Sequence, residues 1–273
     1  MSKPWQDVIR YPLGQRPAKP RKKGLTMVID KGLGLRELAD LLETAGAYLD
    51  FLKFGFGTSA LYSEELLRAK IELCKKYNVV PYPGGTLTEI AYFQGSFEAY
   101  LSRLSKLGFA AVEISDGTIN LSKNERTYCI KRAVNLGLTV FSEVGKKDPA
   151  RNPSPDQLIQ KCQEDLEAGA WKVIMEARES GKNIGIYNQD GEVIDEKLDE
   201  LADKLRPVLE QIIWEAPLKN QQTELILRFG PEVNLGNVPP AELLPLEALR
   251  TGLRNDTLKI ITPELLSEKI TSS

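Results

Sequence analysis

Four short stretches put a carboxylate where an apolar run stops: Val112-Glu113-Ile114, Ser142-Glu143-Val144, Met175-Glu176-Ala177 and Trp214-Glu215-Ala216. A strand buried on both faces is apolar throughout, so a glutamate at its end needs a structural or a chemical reason. Other charged residues fall at comparable places: Asp30 and Lys31, Lys53, Asp116, the pair Lys146-Lys147, Arg178 and Lys219, with Asn234 and Asn237 flanking a further strand. The chain has no histidine. That absence removes imidazole bases, His-based triads and most transition-metal sites, and leaves oxygen ligands, hence magnesium or a similar hard cation, for any metal. Carboxylates beside lysines and an arginine describe a site that holds such a cation together with a multiply charged anion. Taken singly, each residue reads equally well as half of an ion pair; as a set, so many charges at strand ends point to a ligand.

Elements able to carry this ring follow in order. Thr26 to Ile29 reads as a strand, and Leu35, Leu38, Ala39 and Leu42 share one helical face before Gly46. Tyr48 to Phe54 is the next strand, Ser63 caps a helix that ends near Tyr77, and Val79 to Tyr82 is a third strand stopped by Pro83-Gly84-Gly85. A helix from Ser96 to Leu107 precedes the strand Ala110 to Ser115. The spacings Ser122/Glu125 and Ser154/Gln157 are capping boxes for the helices before strand Leu138 to Val144 and strand Trp171 to Ala177. A helix through Leu198 to Leu205, strand Gln211 to Ala216, a helix over Thr223 to Phe229, a short strand Glu232 to Leu235 and a helix over Glu242 to Gly252 complete the chain. Eight strand-then-helix units with no long linker favour a closed (β/α)8 TIM barrel over an open doubly wound sheet, in one domain over 25–273. Residues 1–24, with four prolines and the basic cluster Lys19, Arg21, Lys22 and Lys23, read as a solvated N-terminal arm. In a barrel, the C-terminal strand ends form the active face.

Composition narrows the partners. A net charge of −2 over 273 residues gives no electrostatic reason to expect nucleic acid or an anionic membrane. Cys74, Cys129 and Cys162 are odd in number and widely spaced, as in a reduced protein. Met1-Ser2-Lys3-Pro4 has no apolar core of a leader, and no stretch is long and apolar enough to span a bilayer, so the expectation is a cytoplasmic protein. Phosphate is expected at the loops after strands seven and eight, where Gly236-Asn237-Val238-Pro239-Pro240 precedes a helix. Gly32-Leu33-Gly34 imitates a dinucleotide fingerprint, but Glu37 occupies the third glycine position. Lys53 could form a Schiff base, as in barrel aldolases of phosphorylated keto acids, though the charge around it favours a protonated amine.

The strings Phe51-Leu52-Lys53-Phe54-Gly55-Phe56-Gly57-Thr58, Tyr82-Pro83-Gly84-Gly85-Thr86, Glu143-Val144-Gly145-Lys146-Lys147 and Glu176-Ala177-Arg178-Glu179-Ser180-Gly181-Lys182 resemble phosphosulfolactate synthase. Glu215-Ala216-Pro217 with Gln221-Gln222, and Val233-Asn234-Leu235, extend the resemblance over about residues 25 to 258. It implies a (β/α)8 barrel, a homo-oligomer such as a trimer, and a magnesium-dependent lyase that adds sulfite to phosphoenolpyruvate in one route to coenzyme M. Magnesium would be held by some of Glu113, Glu143, Glu176, Glu215 or Asp30, and would stabilise an aci-carboxylate. By the same resemblance the acid that protonates it lies in the Lys146-Lys147 pair, with Lys146 preferred. Lys53, Arg178 and the second lysine would offset the charge of the anions, with Arg178, Asn234, Gly236 and Asn237 as the substrate-binding set. An ion pair from Arg178 to Glu176 or Glu179 is the structural alternative for that residue. Relatives outside coenzyme M pathways also imply a third reading, a binding or stress-related barrel without turnover.

Overall fold

The first strand, β1 (Thr26–Asp30), is buried along its whole length, as a barrel strand between an inner core and an outer helix layer must be. The computed structural model describes residues 4–148, 153–178 and 180–258. Around β1 stand β2 (Phe51–Phe54), β3 (Val80–Pro83), β4 (Ala111–Ile114), β5 (Thr139–Val144), β6 (Lys172–Met175), β7 (Ile212–Glu215) and β8 (Leu235–Val238). Among the described residues they form one parallel sheet in the order β3-β2-β1-β8-β7-β6-β5-β4, nearly closed into a (β/α)8 barrel. Alternation sorts their side chains. Met27, Phe51, Tyr82, Phe141, Ile174 and Ile213 fill the interior, while Val28, Leu52, Val112, Val140, Val173 and Ile212 face the helices. Tyr82 stacks on Phe141 with ring centroids 4.7 Å apart, and Phe51 meets the same ring edge-on at 4.9 Å.

The outer layer comprises α1 (Leu35–Ala45), α2 (Glu64–Lys76), α3 (Gly85–Phe93), α4 (Phe97–Leu107), α5 (Lys123–Asn135), α6 (Pro155–Ala168), α7 (Asp195–Leu205), α8 (Lys219–Phe229), α9 (Leu243–Arg250) and α10 (Asn255–Leu258). Local signals set most boundaries. Ser122 and Glu125 exchange both bonds of a capping box, as do Ser154 and Gln157, and Gly108 and Gly169 end α4 and α6 in the left-handed conformation.

Two departures from the sequence expectation bear on the site. Pro83-Gly84-Gly85 does not end in a loop: it opens α3, which has no ordinary amphipathic signature because Thr88 and Glu89 are buried while Ile90 and Phe93 are 45% and 81% exposed. The eighth strand runs over Leu235–Val238 rather than Glu232 to Leu235, so the expected phosphate loop at Gly236-Asn237 is part of the barrel wall. A Cβ on Gly236 would lie 2.7 Å from Met27 Cε and 3.0 Å from Ile213 Cγ2, which is why this strand carries a residue that reads as a turn.

α3 has a further role. β3 and β4 are neighbours that share no ladder hydrogen bonds, and the start of α3 joins them instead. Gly85 donates its N–H to Glu113 Oε1 at 2.6 Å, and Thr88 Oγ1 donates to the Glu113 carbonyl at 2.7 Å.

Of the four cations of the N-terminal segment, Lys22 and Lys23 are exposed as expected, while Lys19 and Arg21 pack against the barrel. Lys19 Nζ donates to the carbonyls of Gly46, Leu49 and Tyr77, and Arg21 pairs with Asp50 at 3.1 Å beneath the N-terminal strand ends. Burial, only partly offset by Asp50, pulls the Lys19 ammonium down to about 8. The expected arm and barrel extend into residues 1–3 and 259–273, which lie outside the described residues.

Candidate functional site

Inward positions that are apolar low in the barrel become charged at the C-terminal strand ends. Lys53 follows Phe51 on β2, Glu113 follows Ala111 on β4, Glu143 follows Phe141 on β5, and Glu215 follows Ile213 on β7. Lys53 Nζ stands 3.1 Å from Glu113, 3.1 Å from Glu143 and 3.2 Å from Glu215. Glu176, one residue past β6, completes the ring: Glu143, Glu176 and Glu215 each offer a carboxylate oxygen within 4.8 Å of the others, a trio able to hold a metal ion. Glu113 is not in the trio, because Oε1 accepts the Gly85 N–H and Oε2 faces Lys53.

Burial opposes every charge in this cluster, and position decides the outcome. Lys53 is held well above the usual lysine range despite its burial, because Glu113, Glu143 and Glu215 surround it. Burial pushes the Glu113 carboxyl up to about 8 against the pull of Lys53. Glu143 is lowered although burial acts the other way, since the ammonium groups of Lys53 and Lys147 favour its anion. Glu176 is raised far above the carboxylate range by burial and by Glu143 and Glu215, and burial also raises Glu215. Among the described residues, neither Glu176 Oε2 nor Asn237 Oδ1, both buried, has a hydrogen-bond partner.

Above the ring is a cavity of about 470 Å³, lined among others by Lys53, Lys147, Arg178, Thr86 and Asn237 as well as the four glutamates. Lys147 Nζ donates to Thr86 Oγ1 at 2.9 Å. Arg178 has a left-handed backbone at φ +57°, uncommon for a residue with a side chain, and its N–H donates to Glu176 Oε1 at 2.6 Å. Its guanidinium has no ion-pair partner among the described residues and makes none with Glu176; Glu179 lies outside them.

Four expected site residues are elsewhere. Asp30 is turned to the outer layer, where Oδ2 pairs with Lys70 at 2.6 Å and Oδ1 accepts the N–H groups of Gly32 and Leu33, so it does not join the acid trio. Asn234 is at the opposite end of the barrel, accepting from the Leu25 N–H and donating to the Glu210 and Ile212 carbonyls. Lys146 points away from the cavity, with Nζ on the carbonyls of Asp116 and Ile119 and 3.3 Å from Asp116 Oδ2. Gly236 is in the wall below the ring, and of that loop only Asn237 reaches the cavity.

Residues to which the sequence assigns no role include Thr86, Glu89 and Ser115. Ser115 Oγ is 2.6 Å from Glu89 Oε1 and 3.0 Å from Glu143 Oε1. The available signal was the pair Gly84-Gly85 ahead of a Thr-rich segment with a single acid, legible as a helix start only once β4 is known to press against it.

A sequence profile of (2R)-phospho-3-sulfolactate synthase (ComA) matches residues 14–256. The chain belongs to the phosphosulfolactate synthase family. Phosphosulfolactate synthase of Methanothermobacter thermautotrophicus is 47% identical over 245 residues, covering 89% of this chain and 94% of that protein. The phosphosulfolactate synthase of Methanocaldococcus jannaschii is 46% identical over 238 residues, covering 86% and 94%. The chain is therefore an enzyme of the phosphosulfolactate synthase type. Its fold is similar to that of 3-hexulose-6-phosphate synthase from Salmonella typhimurium, with a TM-score of 0.53 and 15% identity over 83% of this chain and 98% of that one. Among the described residues no helix is long and apolar enough to cross a membrane.

Proposed function

We propose that this member of the family is a magnesium-dependent lyase that joins sulfite to phosphoenolpyruvate to give phosphosulfolactate. The observation that carries the reading is one cavity in which the guanidinium of Arg178, without an ion-pair partner among the described residues, and the ammonium of Lys147 face a buried trio of acids. A purely acidic cleft would repel two anionic substrates, and a purely basic one would not hold a metal. The all-oxygen trio Glu143, Glu176 and Glu215, with one oxygen of Glu176 unpartnered among the described residues, suits a hard cation such as Mg²⁺. When bound there, Mg²⁺ supplies positive charge that offsets negative charge gathering on the substrate carboxylate.

The chain's own residues do the rest. Arg178 grips an oxyanion of the substrates, and Asn237 offers an acceptor beside it. The sulfur lone pair forms the C–S bond at the methylene carbon, the double-bond electrons move toward the carboxylate, and a proton is added at the carbon that bears the phosphate. Lys147 delivers that proton, in place of Lys146, whose ammonium is committed to the loop after β4. Lys53, within 3.1–3.2 Å of Glu113, Glu143 and Glu215, offsets part of the cost of burying the three acids together. A Schiff-base role for Lys53 is opposed by the same contacts, which keep its amine protonated.

Cytoplasmic placement belongs to the proposal, and three free, buried cysteines suit it. So does self-association as a trimer, which follows from the family resemblance and is checked by analytical ultracentrifugation. Phosphorus NMR of phosphoenolpyruvate with sulfite and Mg²⁺ tests the function: a new phosphate ester should appear only with both present. Unchanged phosphoenolpyruvate under those conditions would overturn it.

A further inference from the structure

We propose that Glu89, outside the ring of acids, is a positioning residue that holds Lys147 over the cavity and fixes the adjoining loop 116–119. The inference rests on Lys147 as the proton donor. Glu89 is 2% exposed on α3, and a carboxylate buried that deeply is retained only where donors surround it. Its Oε2 accepts the N–H groups of Thr118 at 2.8 Å and Ile119 at 3.1 Å, and Oε1 accepts Ser115 Oγ at 2.6 Å. Lys147 Nζ stands 3.8 Å from the same Oε1.

The hydrogen bonds of Lys147 run to the elements that Glu89 ties together. Thr86, which takes the Lys147 ammonium, is three residues before Glu89 on α3. The Lys147 N–H donates to the Gly117 carbonyl at 3.2 Å. A Cβ on Gly117 would come within 3.1 Å of Lys147 Cε and 3.2 Å of Cγ, so the loop that Glu89 fixes is the wall along which the lysine chain extends. Ser115 passes the connection to Glu143, at 3.0 Å. The charges acting on the ammonium are Glu143, Glu176 and Glu89 in its favour and Lys53 against it. Glu89 alone among those acids is outside the metal trio and can be changed without removing a metal ligand.

The test uses Glu89→Gln and Glu89→Asp in the full chain with Mg²⁺ present. Three quantities are read: kcat and KM for phosphoenolpyruvate, the thermal midpoint, and competitive acetylation of Lys147 by mass spectrometry. In Glu89→Gln, kcat should fall about 10–100-fold with KM changed less than about threefold, the pattern of a disturbed proton donor. Lys147 should be acetylated at least about threefold faster as its ammonium loses a partner, and Glu89→Asp should recover part of both effects. Acetylation at the wild-type rate in folded Glu89→Gln would overturn the proposal. If Glu89→Gln does not fold, Glu89→Asp decides by the same measurement, faster acetylation supporting the proposal and a wild-type rate overturning it. Absence of turnover in the wild type would refute the assigned reaction alone, since Lys147 reactivity still reports on its position.

Discussion

Gly85 donates its N–H to Glu113 Oε1 at 2.6 Å, so a backbone group of α3 orients an acid of the ring across the seam where β3 and β4 share no ladder hydrogen bonds. The contact depends on glycine, because a Cβ at position 85 would lie 2.4 Å from Ser115 Cβ and 2.9 Å from Glu113 Oε1.

Gly85→Ala is therefore expected to destabilise the fold by about 1–3 kcal/mol through overpacking against β4. Urea unfolding of the variant measures this. A wild-type midpoint would show that the seam can widen freely.

Lys53→Met should cost about 3–5 kcal/mol near neutral pH, because it leaves Glu113, Glu143 and Glu215 buried without their shared cation. The acids then have pKa values above those of the unfolded chain, so the folded state binds more protons and stability falls as pH rises. Unfolding at pH 5 and pH 8 should show the larger loss at pH 8.

Lys147→Ala is expected to lower kcat by about 10²–10⁴-fold, the range for losing a positioned acid. Lys146→Ala should act mainly on stability, since its ammonium holds the loop after β4 through Asp116 and Ile119. Single-turnover kinetics of the two variants would expose a reversed assignment.

Asp116 makes the fold acid-sensitive. Burial would raise its pKa, but Arg126, Lys161 and Lys146 outweigh burial and hold the carboxyl below its usual range. A depressed carboxyl contributes stability above the unfolded value, and that contribution is lost as pH falls through the ordinary carboxylate range toward the folded pKa. Asp116→Asn should be less stable than wild type at pH 7 and flatter between pH 5 and pH 3 in urea midpoints.

Magnesium binding should release protons, because Glu176 and Glu215 are raised and must ionise to serve as ligands. Calorimetry at pH 6 in two buffers of different ionisation enthalpy should reveal more released protons than at pH 8. Glu176→Gln should weaken Mg²⁺ by about tenfold or more.

The barrel was legible because its signals are local. Capping boxes at Ser122 and Ser154, exit glycines 108 and 169, and two-sided apolar strands each act within a few residues. α3 and β8 were misread for a physical reason: Thr88 and Glu89 are buried by β4 and the loop after it, and Gly236 is required by Met27 and Ile213, partners far away in the chain.

By itself the sequence determined that four glutamates fall where apolar runs stop, that a metal would need oxygen ligands, and that lysines and Arg178 fall at comparable strand ends. Only the tertiary structure decided which of them meet. Neighbouring strands are staggered, so Glu113 pairs in register with Phe141 while Glu143 pairs with Ile174. That offset sends Glu113 to Gly85 and Lys53 and leaves Glu143, Glu176 and Glu215 as the trio. The same kind of choice divides the adjacent lysines: consecutive side chains point in different directions, so Lys147 reaches the cavity and Lys146 is bound to Asp116. Periodicity places a residue at a strand end, but the direction and partner of its charged atom depend on elements packed against it from elsewhere in the chain.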